Sequence, residues 1–257
     1  MEFFDTHAHL ADEQLSGDLV GVLHRARAAG VNGILTVGTT LASSRAGLEI
    51  AKSQPGVLAA IGLHPTNLLE IAEGDWDEVV RLAAEPQVVA LGETGLDNYW
   101  KEVPLPLQQE YFDRHLQLSQ ATKLPVVIHQ RESSAEILAM LRAARQRGPL
   151  TGIMHSFTGD AVVARECLEL GLHLSFAGMV TFKNAADIRE VAKLVPAERL
   201  LIETDSPYLT PHPHRGQRPN EPALVVHTAA CLAEARGVAL AELARQTTAN
   251  ARALFTR

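Results

Sequence analysis

The sequence of 257 residues contains two cysteines, Cys167 and Cys231, which are too few for a disulfide framework. Both lie in stretches of helical periodicity, where cysteine is usually a small core residue, and this usage suits a reducing compartment. No apolar run approaches the ~20 residues that a membrane-spanning helix requires. The N-terminal residues contain no basic segment followed by an apolar run. We therefore expect a cytoplasmic protein with no signal peptide and no membrane association.

An excess of positive charge is also absent, because the formal net charge is −7. This charge argues against a broad electrostatic surface for duplex nucleic acid. A local anion site remains compatible with the composition, because bound metal ions supply their own positive charge. A nucleic-acid substrate would therefore be bound at an end rather than along its length.

Apolar runs of strand length alternate with amphipathic stretches of helical length from end to end. A hydrophobic share of 46% and a charged share of 21% are ordinary for a soluble globular protein. The runs are almost continuously apolar, which is typical of parallel strands covered on both faces. Eight strands are predicted at residues 1–9, 33–38, 57–62, 88–93, 125–129, 151–155, 172–177 and 200–205.

Eight β/α units in about 250 residues predict a TIM-type (β/α)8 barrel, with a single domain over residues 1–257. The alternative is an open, doubly wound sheet, but the first strand-to-helix turn lacks a glycine-rich phosphate motif. One helix start has a particular signal: Ser133-Ser134-Ala135-Glu136 has the spacing of a capping box.

Six side chains able to bind a metal ion lie at the ends of five predicted strands. They are His7, His9, Glu93, His129, His155 and Asp205. Residues two apart on a strand face the same side, so His7 and His9 can reach one ion. One such residue alone would more often be an interior histidine, a helix cap or an ion-pair partner. Five strands with the same pattern, at the end where barrel enzymes carry their active sites, indicate a metallohydrolase.

Four imidazoles and two carboxylates exceed the need of a single catalytic zinc, which uses about three protein ligands. We expect one ion on His7, His9 and Asp205, a second on His129 and His155, and Glu93 as the bridge. Histidine ligands favour zinc, manganese or cobalt, and the carboxylates also permit magnesium. Such a pair of ions activates water for hydrolysis, and Asp205 is expected to accept the water's proton or to orient the hydroxide. Four other histidines are predicted to be structural: His24, His115, His173 and His227.

The connection from Ser206 to Asn220 is unusually long and carries four prolines and four basic or histidine side chains. Structureless connections of this length are generally functional or disordered. Because it follows the Asp205 strand, we expect it to lie over the barrel mouth and to face the substrate. A merely solvated loop is the alternative.

Several ordered motifs resemble those of the TatD family of metal-dependent hydrolases and deoxyribonucleases, within the amidohydrolase-like barrel superfamily. The matching segments are residues 4–10, 61–65, 91–97, 124–131, 155–159, 203–209, 215–216, 220–222 and 248–251. The resemblance covers essentially the whole chain. The chain departs from the common pattern at Ser156, where cysteine is frequent, at Asn98, and at an extra Pro219 in the long loop.

The resemblance implies a TIM-type barrel, a two-metal site on the six residues above, and nuclease activity on DNA ends. It makes Glu93 and Asp205 the expected catalytic residues. It also suggests that His64, Arg131 and Arg215 contact a phosphate of the substrate. DNA, single-stranded or at an end, is thus the expected substrate, and no obligatory protein partner is evident.

Two other functions remain open from the sequence. The first is hydrolysis of an ester or amide bond in a smaller or tRNA-linked substrate, because the same activated water attacks a carbonyl. Arg131, Arg215 and Arg218 favour a phosphate-bearing substrate over a neutral one. The second is a metal-stabilised binding module, which is disfavoured because six ligands for two ions leave open positions that a structural site would fill.

Overall fold

The computed structural model describes residues 1–256 and contains one sheet of eight parallel strands in chain order. The strands are β1 (Phe3–Ala8), β2 (Val31–Val37), β3 (Val57–Ile61), β4 (Val88–Asp97), β5 (Val126–Arg131), β6 (Gly152–Met154), β7 (Leu172–Phe176) and β8 (Leu200–Ile202). The sheet closes beyond β8: the amide of Asp205 donates to His7 O at 2.9 Å, and the amide of His9 donates to Ser206 O at 2.7 Å. The predicted (β/α)8 barrel is confirmed.

Helices surround the barrel and connect its strands. The α-helices are α1 (Glu13–Ser16), α2 (Leu19–Ala28), α3 (Leu41–Ser53), α4 (Asp75–Leu82), α5 (Leu105–Thr122), α6 (Ser134–Arg147), α7 (Ala161–Glu169), α8 (Ala186–Leu194), α9 (Val225–Arg236) and α10 (Leu240–Leu254). Short 3-10 helices lie at Pro65–Glu70, Gly178–Thr181, Ala197–Arg199 and Pro222–Leu224. Crossover helices on the outer face are what parallel neighbouring strands require.

Two apolar layers form the core, one inside the barrel and one between the strands and helices. The inner layer contains Phe4, Leu35, Val37, Ala60, Val89, Ala90, Val127, Ile153 and Leu201. Phe255, just after α10, joins this layer with its ring centroid 5.6 Å from that of Phe4. Asn250 donates to the carbonyls of Ala197 and Leu200 at 2.7 and 2.9 Å, which fixes α10 at the start of β8. Helix α10 therefore closes the end of the barrel opposite the predicted ligands.

Strand ends differ from the sequence prediction at three places that matter for the site. Strand β4 continues past Glu93, because residues 94–97 keep pairing with residues 128–131 of β5. Strand β6 stops at Met154, one residue before His155, and β8 stops at Ile202. Asp205 has a φ of +54°, a left-handed conformation that ends the extended backbone and that aspartate tolerates better than most residues. The ligands after β6 and β8 therefore lie on turns.

The predicted capping box at the start of α6 is wrong, although the helix begins at Ser134 as expected. The Ser133 side chain makes no hydrogen bond to the first turn of the helix. Its hydroxyl donates instead to Leu96 O at 2.8 Å, where it binds a carbonyl of the neighbouring strand β4. The buried carbonyl of Leu96 has therefore replaced the helix amides as the hydrogen-bond partner of Ser133.

The long connection from Ser206 to Asn220 contains no helix and no multi-residue strand, as expected. Its end returns to its beginning through the buried side chain of Asn220, which donates to Thr204 O at 3.0 Å and to Tyr208 O at 2.5 Å. The backbone amide of Asn220 also donates to Pro207 O at 3.0 Å. The loop is thus fastened at both ends to the turn that carries Asp205.

The cysteines and the apolar helices bear on two expectations, the absence of disulfides and the absence of membrane-spanning helices. Both cysteines are unpaired and helical, with Cys167 buried in α7 and Cys231 half-buried in α9. Burial raises the pKa of the Cys167 thiol to about 12, as suits a core residue. Within residues 1–256, no single helix meets the length and apolarity needed to cross a bilayer. Residues 222–236 and 240–254 meet them only as a pair, bent by 113°.

Candidate metal centre

The carboxylate of Glu93 is the centre of the site. It lies on β4 and is 3% exposed. Its Oε1 faces three imidazole nitrogens on or just after different strands: His155 Nε2 at 2.9 Å, His129 Nδ1 at 3.0 Å and His64 Nε2 at 3.3 Å. Three rings from separate strands thus converge on one carboxylate oxygen.

The other oxygen of Glu93 faces the histidines of β1. Oε2 lies 3.3 Å from His7 Nε2 and 3.7 Å from His9 Nε2. The same two nitrogens lie 3.6 and 3.4 Å from Asp205 Oδ1. His7, His9 and Asp205 thus form a compact group of donors, all within 4.8 Å of one another. The structure brings together the three residues that the sequence assigned to one ion.

His129 on β5, together with the histidines that follow β3 and β6, forms the opposite side of the site. His129 Nδ1 lies 3.4 Å from His155 Nε2, so these two are also adjacent, as the sequence predicted. The His155 ring stacks on that of His7 at 4.1 Å, which joins the two sides. His64, His129 and Glu93 form a further compact donor group. His64, expected to contact phosphate, therefore has a ring nitrogen placed among the donors themselves.

Hydrogen bonds on the far side of three rings fix their orientation. They join His129 Nε2 to Asp97 Oδ2 (2.9 Å), His155 Nδ1 to Glu203 Oε1 (3.3 Å) and His9 Nδ1 to Val37 O (2.9 Å). An acceptor behind the ring selects the tautomer whose other nitrogen carries a lone pair towards the site. Each of these rings is thereby held with a potential ligand atom facing the donor cluster.

The two carboxylates of the site are ionised. Burial by itself would raise the pKa of Glu93, but the surrounding His155, His64 and His7 hold it well below its usual range. Burial would likewise raise the pKa of Asp205. The hydrogen bond to His9 and the nearby rings of His7 and His155 outweigh burial, so the pKa of Asp205 is lowered. Charged oxygens at the barrel mouth are the form in which carboxylates bind cations.

The imidazoles divide into two states. Burial is the main cause that lowers the pKa of His7 and of His64, so these rings are neutral and keep a free lone pair. Burial would also lower the pKa of His9, but Asp205 and Glu93 raise it to about 8. The pKa of His155 is raised well above its usual range, against the effect of burial, by Glu93 and Glu203. The same buried negative charge that raises these two pKa values would also attract a cation.

A buried acid beneath the site holds β1 and the β8 turn together. Asp5 is fully buried, and it accepts hydrogen bonds from Thr204 N at 2.9 Å and from Thr204 Oγ1 at 2.6 Å. It also accepts from the backbone amide of His7 at 3.3 Å. Burial raises the pKa of Asp5 to about 8. Asp5 therefore fixes the spacing between His7 and the turn that carries Asp205.

The donor set fits divalent metal ions. It combines imidazole nitrogen with carboxylate oxygen in three overlapping groups, within each of which all ligand atoms lie within 4.8 Å of one another. Nitrogen and oxygen donors of this kind suit zinc, manganese and related divalent ions. A cation would also neutralise two carboxylates that are otherwise buried at high cost.

The arginines suggested as phosphate contacts lie on the rim and not within the donor cluster. The Arg131 guanidinium lies over the ring of Tyr99, 3.7 Å from its centroid. The Arg215 guanidinium lies over the ring of Phe182 at 3.8 Å. Both arginines are exposed. Their contact with a substrate stays a prediction.

Three contacts of the site were not predicted from the sequence. His64 lies beside Glu93, Asp97 contacts the rear nitrogen of His129, and Glu203 contacts the rear nitrogen of His155. Asp97 is the last residue of β4, and Glu203 directly follows β8. The strand-end rule would have found His64 and Asp97 if it had included the first few residues after each predicted strand, whereas Glu203 lay inside the predicted strand 200–205.

The fold and the donor set together define a barrel hydrolase that depends on metal ions. The chain belongs to the TatD family, because the family model described as TatD related DNase matches residues 4–256. A metal-dependent hydrolase of Bacillus subtilis, YabD, is 43% identical over 252 residues, with 98% of each chain covered. The 3'-5' ssDNA/RNA exonuclease TatD of Klebsiella pneumoniae is 38% identical over 257 residues and covers 98% of this chain and 97% of its own.

Solved structures agree with this assignment. The crystal structure of the TatD homologue YjjV from Escherichia coli has a TM-score of 0.92 at 30% identity, covering 98% of this chain and 97% of its own. A TatD-family hydrolase from Entamoeba histolytica has a TM-score of 0.89 at 23% identity, which shows the shared fold. The family assignment that the sequence motifs suggested is confirmed.

Replacing Glu93 tests its position between the two donor groups. We expect Glu93→Gln to lose at least one bound metal ion per chain, because the amide keeps the shape but loses the charge shared by the two sides. Elemental analysis of protein reloaded with zinc or manganese measures this, with the melting temperature as a check of folding. Glu234→Gln, on the exposed last turn of α9, is the matched control. Full metal content in Glu93→Gln would contradict the prediction.

Proposed function

We propose that this protein is a two-metal exonuclease that hydrolyses phosphodiester bonds at the ends of single-stranded DNA. The observation that carries the proposal is the division of the Glu93 carboxylate between two groups of imidazoles at the barrel mouth. The name of the Klebsiella pneumoniae relative, a 3'-5' ssDNA/RNA exonuclease, supports the substrate class. The family match over residues 4–256 supports a single domain that acts as one unit over residues 1–257.

Two divalent ions are proposed, with zinc, manganese or magnesium as candidates. His7, His9 and Asp205 would hold the first, His129 and His155 would hold the second, and one oxygen of Glu93 would face each. Bound ions would supply Lewis-acid polarisation of the phosphodiester and would acidify water. His64, beside Oε1 of Glu93, is available either to the second ion or to a substrate oxygen.

Asp205 is the proposed general base. Its side chain is 14% exposed, whereas that of Glu93 is 4% exposed, so Asp205 is the carboxylate of the pair that incoming water can reach. The water oxygen forms a bond to phosphorus while its proton passes to Asp205. The bond from phosphorus to the leaving sugar oxygen breaks, and that oxygen takes a proton from solvent. Glu93 remains ionised between the imidazoles and keeps the donors in place.

The rim arginines are proposed to hold phosphates next to the scissile one. Arg131 and Arg215 present planar guanidinium groups, which bind phosphate through paired hydrogen bonds. The net charge of −7 gives no extended positive surface, so these contacts suit a strand end rather than a long duplex. A cytoplasmic location is proposed as well, supported by the unpaired thiols of Cys167 and Cys231.

The direct test uses metal-stripped and reloaded protein with end-labelled DNA. Single-stranded DNA should be shortened stepwise from an end, and only after reloading. A panel of carboxylic esters and an aminoacyl-tRNA serve as competing substrates. Turnover of an ester or of the aminoacyl-tRNA without cleavage of any polynucleotide would contradict the proposal.

Asp205→Asn separates catalysis from metal binding. The amide retains an oxygen of similar position but cannot take a proton from water, so we expect kcat to fall about a hundredfold or more. The measurement is single-turnover cleavage of end-labelled DNA by protein whose metal content has been restored. Glu169→Gln, exposed at the end of α7, should cleave like the wild type. Near-normal kcat in fully metallated Asp205→Asn would exclude Asp205 as the base.

Arg215→Lys tests the phosphate contact. The lysine keeps the charge but loses the paired geometry, so kcat/KM for DNA should fall about tenfold. Turnover of a small uncharged ester, where it is measurable, should hardly change. Arg165→Lys on α7 is the matched exposed control. Equal losses on both substrates with a lower melting temperature would show instead that Arg215 only holds the loop.

A further inference from the structure

Exposed aromatic side chains are concentrated near the candidate metal centre. Within residues 1–256 three aromatic residues are exposed: Tyr99 at 46%, Trp100 at 50% and Tyr208 at 45%. Tyr99 and Trp100 follow β4, and Tyr208 follows the turn that carries Asp205, with its ring 6.0 Å from that of His9. Large rings left exposed together at a site, rather than scattered, mark a surface that is covered by a ligand.

Tyr99 and Trp100 form one corner with a cation beside it. Their rings meet at 90° with centroids 4.9 Å apart. The Arg131 guanidinium lies 3.7 Å from the Tyr99 centroid and 5.7 Å from that of Trp100. Within residues 1–256 this guanidinium has no carboxylate or carbonyl acceptor, so its hydrogen-bond donors are available. A flat aromatic surface and free donors for an anion therefore lie side by side.

A single carboxylate joins this corner to the metal centre. Asp97 Oδ1 accepts from the backbone amides of Tyr99 at 2.9 Å and of Trp100 at 2.8 Å. Asp97 Oδ2 lies 2.9 Å from His129 Nε2. Asn98 Nδ2 donates to Glu132 O at 3.1 Å, just after β5, and further fixes the turn. The two rings thus have a set position relative to a histidine of the metal centre.

We propose that Tyr99, Trp100 and Arg131 form a subsite that binds one nucleobase and its phosphate, next to the phosphodiester at the metal centre. The base stacks on the Trp100 indole, and the phosphate of the same nucleotide accepts hydrogen bonds from Arg131. This inference rests on the proposed nuclease function and specifies its substrate.

Stacking explains why an unpaired strand would be preferred. Every base has a flat π face, so a side-chain platform binds single strands with little sequence preference. In a duplex those faces are occupied by neighbouring bases, and the terminal pair would have to unstack before it reached the corner. The subsite therefore selects a free strand end by its geometry, although the chain lacks a broad positive surface.

Trp100 itself can report on the stacking. The chain contains two tryptophans, so Trp76→Phe leaves Trp100 as the only one. In an Asp205→Asn background, which slows cleavage, this protein is titrated with a thymidine hexanucleotide. A hexamer of the same charge with abasic residues is the comparison. The base-containing strand should quench and shift the Trp100 emission, and the abasic strand should not. Equal emission changes with both strands would overturn the stacking.

The KM values of variants for the two strands provide a second test of the stacking. Trp100→Ala should raise KM for the normal strand about tenfold, within the range for loss of one stacked base. It should not change KM for the abasic strand, and Trp100→Phe should retain most of the affinity. Val162→Ala, an exposed apolar residue on α7, is the control, and melting temperatures check folding.

The outcomes distinguish this inference from the function on which it rests. Unchanged KM in folded Trp100→Ala, with wild-type cleavage of DNA intact, overturns the subsite and leaves the nuclease in place. Equal losses on normal and abasic strands assign the corner a structural role and also overturn it. Absence of both DNA cleavage and DNA binding by wild-type protein overturns the nuclease proposal, and the subsite with it.

Discussion

The buried carboxylate of Glu93 is the constraint on which the arrangement at the barrel mouth depends. A charged group at 3% exposure is tolerated only where opposite charge and hydrogen bonds surround it. Here the compensation comes from histidines on or just after β1, β3, β5 and β6, so strands distant in sequence converge on one side chain. Because each oxygen of Glu93 faces a different set of rings, the carboxylate lies between two groups of candidate metal donors.

Three further carboxylates hold the residues around Glu93 in position. Asp97 and Glu203 accept from the rear nitrogens of His129 and His155, and Asp5 holds β1 against the β8 turn. Asp97 has two tasks, because its other oxygen fixes the turn that carries Tyr99 and Trp100. The same carboxylate that orients a metal ligand thus positions the proposed base-stacking corner. In the proposed function, catalysis and substrate binding would be coupled through this short chain of hydrogen bonds.

The barrel and part of the candidate site were predictable from the sequence, because parallel strands buried on both faces are continuously apolar and their carboxyl ends meet at one edge. The eight strands and the grouping of His7, His9 and Asp205 follow from that rule alone. Residues beyond the strand ends were harder: the position of His64 depends on a turn after β3, and β4 extends to Asp97 through pairing with β5 that no local pattern encodes. The capping box at Ser133 failed because a tertiary carbonyl competed for its hydroxyl.

The proposed position of Glu93 between two ions is tested most directly by locating the metals. Crystals of manganese- or zinc-loaded protein, measured at the metal absorption edge, would show anomalous scattering at each ion. The account predicts two peaks, one contacted by His7, His9 and Asp205 and the other by His129 and His155, with one Glu93 oxygen on each. A single peak, or two peaks that both lie on the same side of Glu93, would contradict it.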